Sequence, residues 1–197
     1  MHPHLRIRRR NLPGAFEGRS SRIYDVVARR FLRRFYRRLA EDIARLAPEG
    51  AAVLDVGTGP GVLLAELAAR RPDLRLTGVD LSADMVAAAR RNVRAGDVVQ
   101  VADVTDLPFP DDSFDLVVSS ISLHHWDRPA AAVPQLARVL RPGGRVCVYD
   151  FGFAPFEVLA TTARELGEFT GGEPARARVD TGIRLFPRCF RYTLYAA

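Results

Sequence analysis

An α/β fold in three layers, with a mostly parallel sheet between two sets of helices, is what this sequence predicts, and three observations predict it. From residue 51 onward short β-rich runs alternate with helical ones. Strand–helix–strand units at that rhythm close through right-handed crossovers, which make neighbouring strands parallel and put helices on both faces. The first strand ends in a glycine-rich turn, "VGTGPG", at residues 56–61. Finally, 197 residues with 48% apolar composition make one domain able to bury a full core.

The elements follow in order. Ser20 and Ser21 can cap a helix, and Ile23, Val26, Val27, Phe31, Phe35, Leu39, Ile43 and Leu46 then recur at helical spacing. The opposite face holds Arg29, Arg30, Arg33, Arg34, Arg37 and Arg38. It reads first as a solvated face on a helix that packs on the domain, with a nucleic-acid or membrane surface as the alternative. "APEG" ends this helix at Pro48 and Gly50. Strands are predicted at Ala51–Val56, Arg75–Asp80, Val98–Val101, Phe114–Ser119 and Arg145–Tyr149, with helices near 61–71, 82–95 and 129–140 between them. "RPGG" at 141–144 is expected to stop the last of these helices and turn tightly into the next strand. A helix over about 155–168 and a closing strand in "RCFRYTLYA" complete the chain. Residues 1–50 are therefore read as a basic N-terminal extension and helical lid, and 51–197 as the domain proper.

Composition narrows the function. The net charge of +6 comes from 29 basic residues, all of them Arg, and residues 1–50 hold 13 of these against 5 acids. The excess therefore belongs to the N-terminal extension, and the rest of the chain is nearly neutral. No run reaches the roughly 18 apolar residues of a membrane span. "NLPGAFEGRSSR" is polar where a secretory signal needs an apolar stretch, although an Arg-rich transit peptide stays open. Cys147 and Cys189 are isolated and match no metal or redox spacing. A soluble protein of a reducing compartment, the cytoplasm, is the expectation.

The chemistry is concentrated in "VLDVGTGPG", Val53 to Gly61. A dinucleotide loop reads G-x-G-x-x-G, but Val62 stands where its third glycine belongs. Glycines at a strand end let the backbone bend and let a ligand approach without meeting a Cβ. A pyrophosphate needs no fixed acid beside it, whereas Asp55 stands close to the ligand end of the strand and favours a cation. Asp80 closes the second strand, where a carboxylate can accept both hydroxyls of a ribose. Asp103 closes the third, where an acceptor can meet an exocyclic amine. Taken singly, either acid has a helix or turn cap as its alternative reading. Taken together, three strand-end acids describe S-adenosyl-L-methionine, which carries a sulfonium and no phosphate.

On "VLDVGTGPG", "GVDLSADMV", "ADVTDLPFPDDSFDLVVSS", "LHHW" and "RVLRPGGRVCVYD", the chain from about Val53 to Asp150 resembles the class I S-adenosylmethionine-dependent methyltransferases, in the broad group called methyltransferase type 11. The resemblance implies a Rossmann-like αβα fold with seven strands in the order 3-2-1-4-5-7-6, the last antiparallel. It implies that Gly57, Gly59 and Gly61 shape the methionine pocket, with Asp55 and Thr58 beside it and Ser119 facing it. Asp80 would hold the ribose, Leu81 and Met85 would flank the nucleoside, and Asp103 with the Val104 backbone would read the adenine. Similar proteins close an N-terminal segment over the cofactor, which points to Tyr24.

Methyl transfer is an in-line displacement, and holding acceptor and methyl at about 3–3.5 Å is worth roughly 7–11 kcal/mol. A base for an acceptor O–H or N–H adds about 10²–10⁴-fold, and His124 and His125 follow the fourth strand at its ligand end. One of them could equally hold the loop, and Trp126 is read first as packing. No Asn/Asp-Pro-Pro-aromatic loop and no Pro-Cys pair for attack on a pyrimidine is present. The expected acceptor is therefore a small molecule, methylated on O, N or C. Two rivals stand beside it: an RNA or protein substrate steered by the Arg-rich extension, and a non-catalytic S-adenosylmethionine-binding protein.

Overall fold

The order of elements is α1 (Ser21–Leu46), β1 (Ala52–Val56), α2 (Val62–Arg70), β2 (Arg75–Asp80), α3 (Ala83–Asn92), β3 (Val98–Val101), β4 (Phe114–Ser120), α4 (Pro129–Arg138), β5 (Leu140–Phe151), α5 (Phe156–Leu166), β6 (Ala175–Val179) and β7 (Cys189–Tyr195). A 3₁₀ turn at Leu123–His125 lies between β4 and α4. This computed structural model describes residues 21–183 and 188–197, with side chains from residue 33 onward.

The seven strands form one sheet in the order β3-β2-β1-β4-β5-β7-β6. The β3–β2, β2–β1, β1–β4 and β4–β5 pairs are parallel, while β7 runs antiparallel to both β5 and β6. The chain starts at β1, builds outward to β3, then returns to β4 on the other side. That reversal opens a crevice beyond the carboxyl ends of β1 and β4.

Side chains alternate across each strand, so both faces of the sheet carry a core. Leu54, Val56, Val117, Val146 and Val148 pack with Leu136 of α4 and Phe156 and Leu159 of α5. Val53, Leu116, Val118 and Cys147 pack on the opposite side with Leu63 and Leu67 of α2, Val86 of α3, and Phe35, Leu39 and Ile43 of α1. Those three α1 residues are fully buried at helical spacing, which fixes the second half of α1 to the domain. A polar clamp adds to this: Asp42 Oδ2 accepts from Tyr149 Oη at 3.0 Å and from Arg191 Nη1 at 2.6 Å, tying α1 to β5 and β7. The exposed Arg33 and Arg37 reach Glu66 of α2 at 3.2 and 3.8 Å, and Arg38 reaches Glu41 at 3.0 Å. Among the described residues no helix is long and apolar enough to cross a membrane.

Strands β2 and β3 have the expected bounds, and the expected strand order is the observed one. "RPGG" differs. Helix α4 has already stopped at Arg138, and Arg141 to Gly144 lie inside β5 as a local irregularity. The register slips between Phe114 and Leu116, and Gly143 takes φ +73° there. A glycine pair that frees the backbone can bulge a strand as readily as precede one.

Candidate active site beyond β1 and β4

The turn after β1 uses glycine in three different ways. Gly57, Gly59 and Gly61 all take left-handed φ values of +72°, +52° and +76°. A Cβ on Gly57 would collide with the Ser122 side chain, and one on Gly61 would press on Ala89 of α3 at 3.0 Å and on Val93, just past its end, at 3.1 Å. A Cβ on Gly59 would meet nothing within 4 Å, so this glycine borders open space. The N–H groups of the turn are already committed. Those of Gly57 and Thr58 bond the Val79 carbonyl at 2.8 and 2.9 Å, that of Gly59 bonds Asp80 Oδ2 at 2.8 Å, and that of Gly61 bonds the Thr58 carbonyl at 3.0 Å. A phosphate cradle needs such donors unspent. The turn is built for a ligand without a pyrophosphate.

Asp55 lies on the α1 side of the sheet, fully buried. Its Oδ2 accepts from Thr58 Oγ1 at 2.8 Å, and its Oδ1 has no hydrogen-bond partner. Burial pushes its pKa up to about 7, against the pull of the Thr58 hydroxyl, and the nearby Asp80 charge adds to the rise. Tyr36 of α1 is on the same side. Burial and the Asp55 charge push its phenol up to about 12, against a hydrogen bond with Ser120.

Around this wall a cavity of about 530 Å³ opens, within the usual range for small-ligand sites. On one side lie Asp80, Leu81 and Met85, and on the other Asp103, Val104, Thr105 and Arg128. Asp80 Oδ1 also takes the Ser82 N–H at 2.9 Å, which with the Gly59 contact fixes its carboxylate across the cavity edge. Asp103 receives the Thr105 N–H and hydroxyl, both at 2.8 Å and both on Oδ1. These bonds, with Arg128 nearby, hold its carboxyl below the usual aspartate value, so it stays an acceptor at neutral pH. Leu81 is 71% and Met85 44% exposed, an apolar rim that a flat base can cover.

The far end of the cavity is made by the segment after β4. Ile121, a β-branched residue at φ +51°, bends the chain out of the strand and gives its N–H to the Tyr149 carbonyl at 2.7 Å. Such strain, of order 1–3 kcal/mol, concentrates at functional sites. Ser122, His125 and Trp126 line the cavity, and the Trp126 indole N–H bonds Ser122 Oγ at 2.9 Å. His124 turns the other way. Its Nδ1 lies 2.8 and 3.0 Å from the two oxygens of the fully buried Asp150, which also takes the His124 N–H at 3.1 Å. An anion at that position fixes the proton on Nδ1 and leaves the Nε2 lone pair to accept one. The two imidazoles are 4.0 Å apart.

Of the residues expected from sequence, the structure brings Gly57, Gly59, Asp80, Leu81, Met85, Asp103, Val104 and His125 to the cavity wall. Asp55, Thr58, Gly61, Ser119 and His124 are not on it. Asp55 and Thr58 support the turn from beneath, Gly61 admits α3, and His124 stands behind His125. Ser119 faces the α4–α5 core with its Oγ unpaired, because strand side chains alternate; its neighbour Ser120 takes the cavity side. The side chain of Tyr24 falls outside the described residues. The α1 tyrosine at the cavity is Tyr36, which stands outside the apolar spacing that marks the helix in the sequence. Asp150 was legible: like Asp55, Asp80 and Asp103 it is an acid closing a strand.

A family model described as a methyltransferase domain matches residues 54–148. The ubiquinone/menaquinone biosynthesis C-methyltransferase of Geotalea daltonii is 33% identical over 150 residues, 68% of this chain and 63% of that protein. The 27-O-demethylrifamycin SV methyltransferase of Amycolatopsis mediterranei is 36% identical over 142 residues, 66% of this chain and 52% of that protein. The chain thus spans between about half and two-thirds of the length of these relatives. Among solved structures, a SAM-dependent methyltransferase from Aquifex aeolicus superposes with a TM-score of 0.64 at 20% identity, over 80% of this chain and 89% of that one, a likeness of fold.

Proposed function

The chain belongs to the class I S-adenosylmethionine-dependent methyltransferases, and from that premise we propose that it is an enzyme that moves a methyl group from S-adenosyl-L-methionine to an oxygen, nitrogen or carbon of a small molecule. The observation that carries this reading is the convergence of Asp80, Asp103, Leu81, Met85 and the Gly59 backbone on one cavity, with His125 at its end and the Asp150-held His124 behind it. The donor set suits a phosphate-free nucleoside: two carboxylates, an apolar rim, and a glycine turn whose N–H groups are spent.

In this reading Asp80 accepts the ribose hydroxyls. Asp103, through Oδ2, accepts the adenine amine beside the Val104 backbone. Leu81 and Met85 cover the base. Asp55 holds the glycine turn through Thr58 and adds negative potential under the methionine end. Tyr36 and Ser120 close that end from α1 and β4, giving α1 a part in the site. S-adenosylmethionine, when bound, supplies a methyl on a cationic sulfur that leaves as a neutral thioether. His125, at the end of the cavity, takes the acceptor's proton, and His124, held by Asp150, positions it from behind.

A small-molecule acceptor suits a cavity of this size. It is also what the names of the Geotalea and Amycolatopsis relatives describe for those proteins. The test is calorimetry with S-adenosylmethionine and S-adenosylhomocysteine, followed by transfer of labelled methyl into small-molecule, RNA and protein fractions of a cell extract. Label confined to the small-molecule fraction supports the reading. Label in RNA, with binding that weakens steeply as salt rises, would instead favour the Arg-rich face of α1.

A further inference from the structure

Resting on the methyltransferase reading above, we propose that Arg128 is a positioning residue for base recognition: through the Thr105 hydroxyl it fixes Asp103 as an acceptor, so that the cavity prefers a nucleoside with an exocyclic amine to one with a carbonyl at that place. Arg128 and Thr105 come from different parts of the chain and meet at the cavity wall beside Asp103. Arg128 directly precedes Pro129, the first residue of α4. A residue before proline is kept out of the helical region, and Arg128 takes φ −133° and ψ 69°. Its carbonyl accepts the Ala131 N–H at 3.1 Å, which ties its backbone to the first turn of α4. The turn after β3, which carries Asp103 and Thr105, is closed by the Asp106 N–H on the Asp103 carbonyl at 3.0 Å.

Between these two anchors the side chains form a chain of hydrogen bonds with a single direction. Arg128 Nη2 donates to Thr105 Oγ1 at 3.3 Å, and Thr105 Oγ1 donates to Asp103 Oδ1 at 2.8 Å. A hydroxyl has one proton, and a guanidinium has donors only. While Arg128 faces it, Thr105 must accept from Arg128 and give its proton to Asp103. The Thr105 N–H is spent on the same Oδ1 at 2.8 Å, so Oδ2 is the oxygen that these bonds leave for the base. The Thr105 N–H and hydroxyl, with the Arg128 charge behind them, also keep Asp103 ionised. Arg128 and its bond are exposed in the free protein. A base laid against this wall covers them, and in a drier site an orienting bond counts for more. A carbonyl facing Oδ2 sets two acceptors against each other and leaves both unpaired. Without Arg128 the hydroxyl can turn its proton elsewhere, and Asp103 keeps only the Thr105 N–H.

The probes are S-adenosylhomocysteine and its deaminated counterpart, S-inosylhomocysteine, titrated calorimetrically into the full chain. Wild type is expected to prefer the amine-bearing probe by about 30-fold or more, the scale of one hydrogen bond to a charged group. Arg128→Met and Thr105→Val should each cut that preference by about threefold to tenfold. The double variant should lose no more than the larger single loss, because both changes act on the same Asp103 oxygen. A residue that only shaped the loop would weaken both probes alike and leave their ratio unchanged. Arg128 is exposed, so Arg128→Met leaves the core untouched and decides the matter alone if Thr105→Val folds poorly. Equal binding of the two probes by wild type, an unchanged ratio in Arg128→Met, or losses that add in the double variant overturns the proposal alone. Failure of wild type to bind S-adenosylhomocysteine overturns the methyltransferase reading and this proposal with it.

Discussion

Replacing Asp55 by Asn should stabilise the free protein at alkaline pH, because the structure buries a carboxylate completely and leaves one of its oxygens unpaired. An aspartate ordinarily titrates at 3.8, and here burial lifts the value to about 7. Each unit corresponds to 1.36 kcal/mol, so roughly 4 kcal/mol separates the protonated and ionised forms in their effect on folding. A raised folded-state pKa means that the contribution is fully present below about 4 and is lost as pH climbs through about 7. Wild type therefore bears the cost of a buried anion at pH 8 and only part of it at pH 5. Asn has no charge to bury at either pH, and its side-chain carbonyl can still accept from Thr58 Oγ1. Urea unfolding of both proteins without ligand measures the gap. The stability of Asp55→Asn relative to wild type should rise by about 2–3 kcal/mol from pH 5 to pH 8. A gap that stays constant, or a variant that loses ground at pH 8, would refute the reasoning: Asp55 would then be ionised and compensated in the fold. In exchange, the variant should bind S-adenosylmethionine more weakly, since a cation gains from the charge that the free protein bears at a cost.

Three further outcomes follow from the geometry. His125→Ala should lower kcat by about 10²–10⁴-fold, while His124→Ala, which leaves the cavity-lining imidazole in place, should cost less than about tenfold; equal losses would remove the distinction between them. Gly57→Ala should destabilise by roughly 2–4 kcal/mol in urea titrations, because left-handed strain adds to a collision with Ser122. Gly59→Ala, facing open space, should cost only about 1 kcal/mol but weaken cosubstrate binding. Asp42→Ala leaves the Tyr149 hydroxyl and the Arg191 guanidinium without their shared acceptor and should lower stability by about 2–3 kcal/mol; a loss below about 0.5 kcal/mol would show the clamp to be idle.

Much of the layout was readable from residues 51–151 because three-layer sheets impose strong local signals. Short β-rich runs such as Arg75–Asp80 and Val98–Val101 stand out between helices, and acids at their ends are placed by the strand bounds alone. Which face a side chain takes is not written in the local sequence. Ser119 and Ser120 differ by one residue, and only the register of β4 against β1 and β5 decides which reaches the cavity. Tyr36 reaches the site through the packing angle of α1, a tertiary quantity that helical periodicity does not contain. The bulge in β5 and the strand β6, "ARARV" with alternating half-buried positions, gave local patterns too weak to stand alone. Asp150 needed only the rule already applied to the other strand ends.

The central claim is that the cavity beyond β1 and β4 takes a phosphate-free sulfonium nucleoside. Calorimetric titration of the full chain with S-adenosylmethionine, S-adenosylhomocysteine and NAD tests it most directly, with Asp80→Ala as the control. The structure predicts one-to-one binding of the first two, strongly weakened in the variant, and none of NAD. Binding of NAD by a protein that ignores both nucleosides would contradict it.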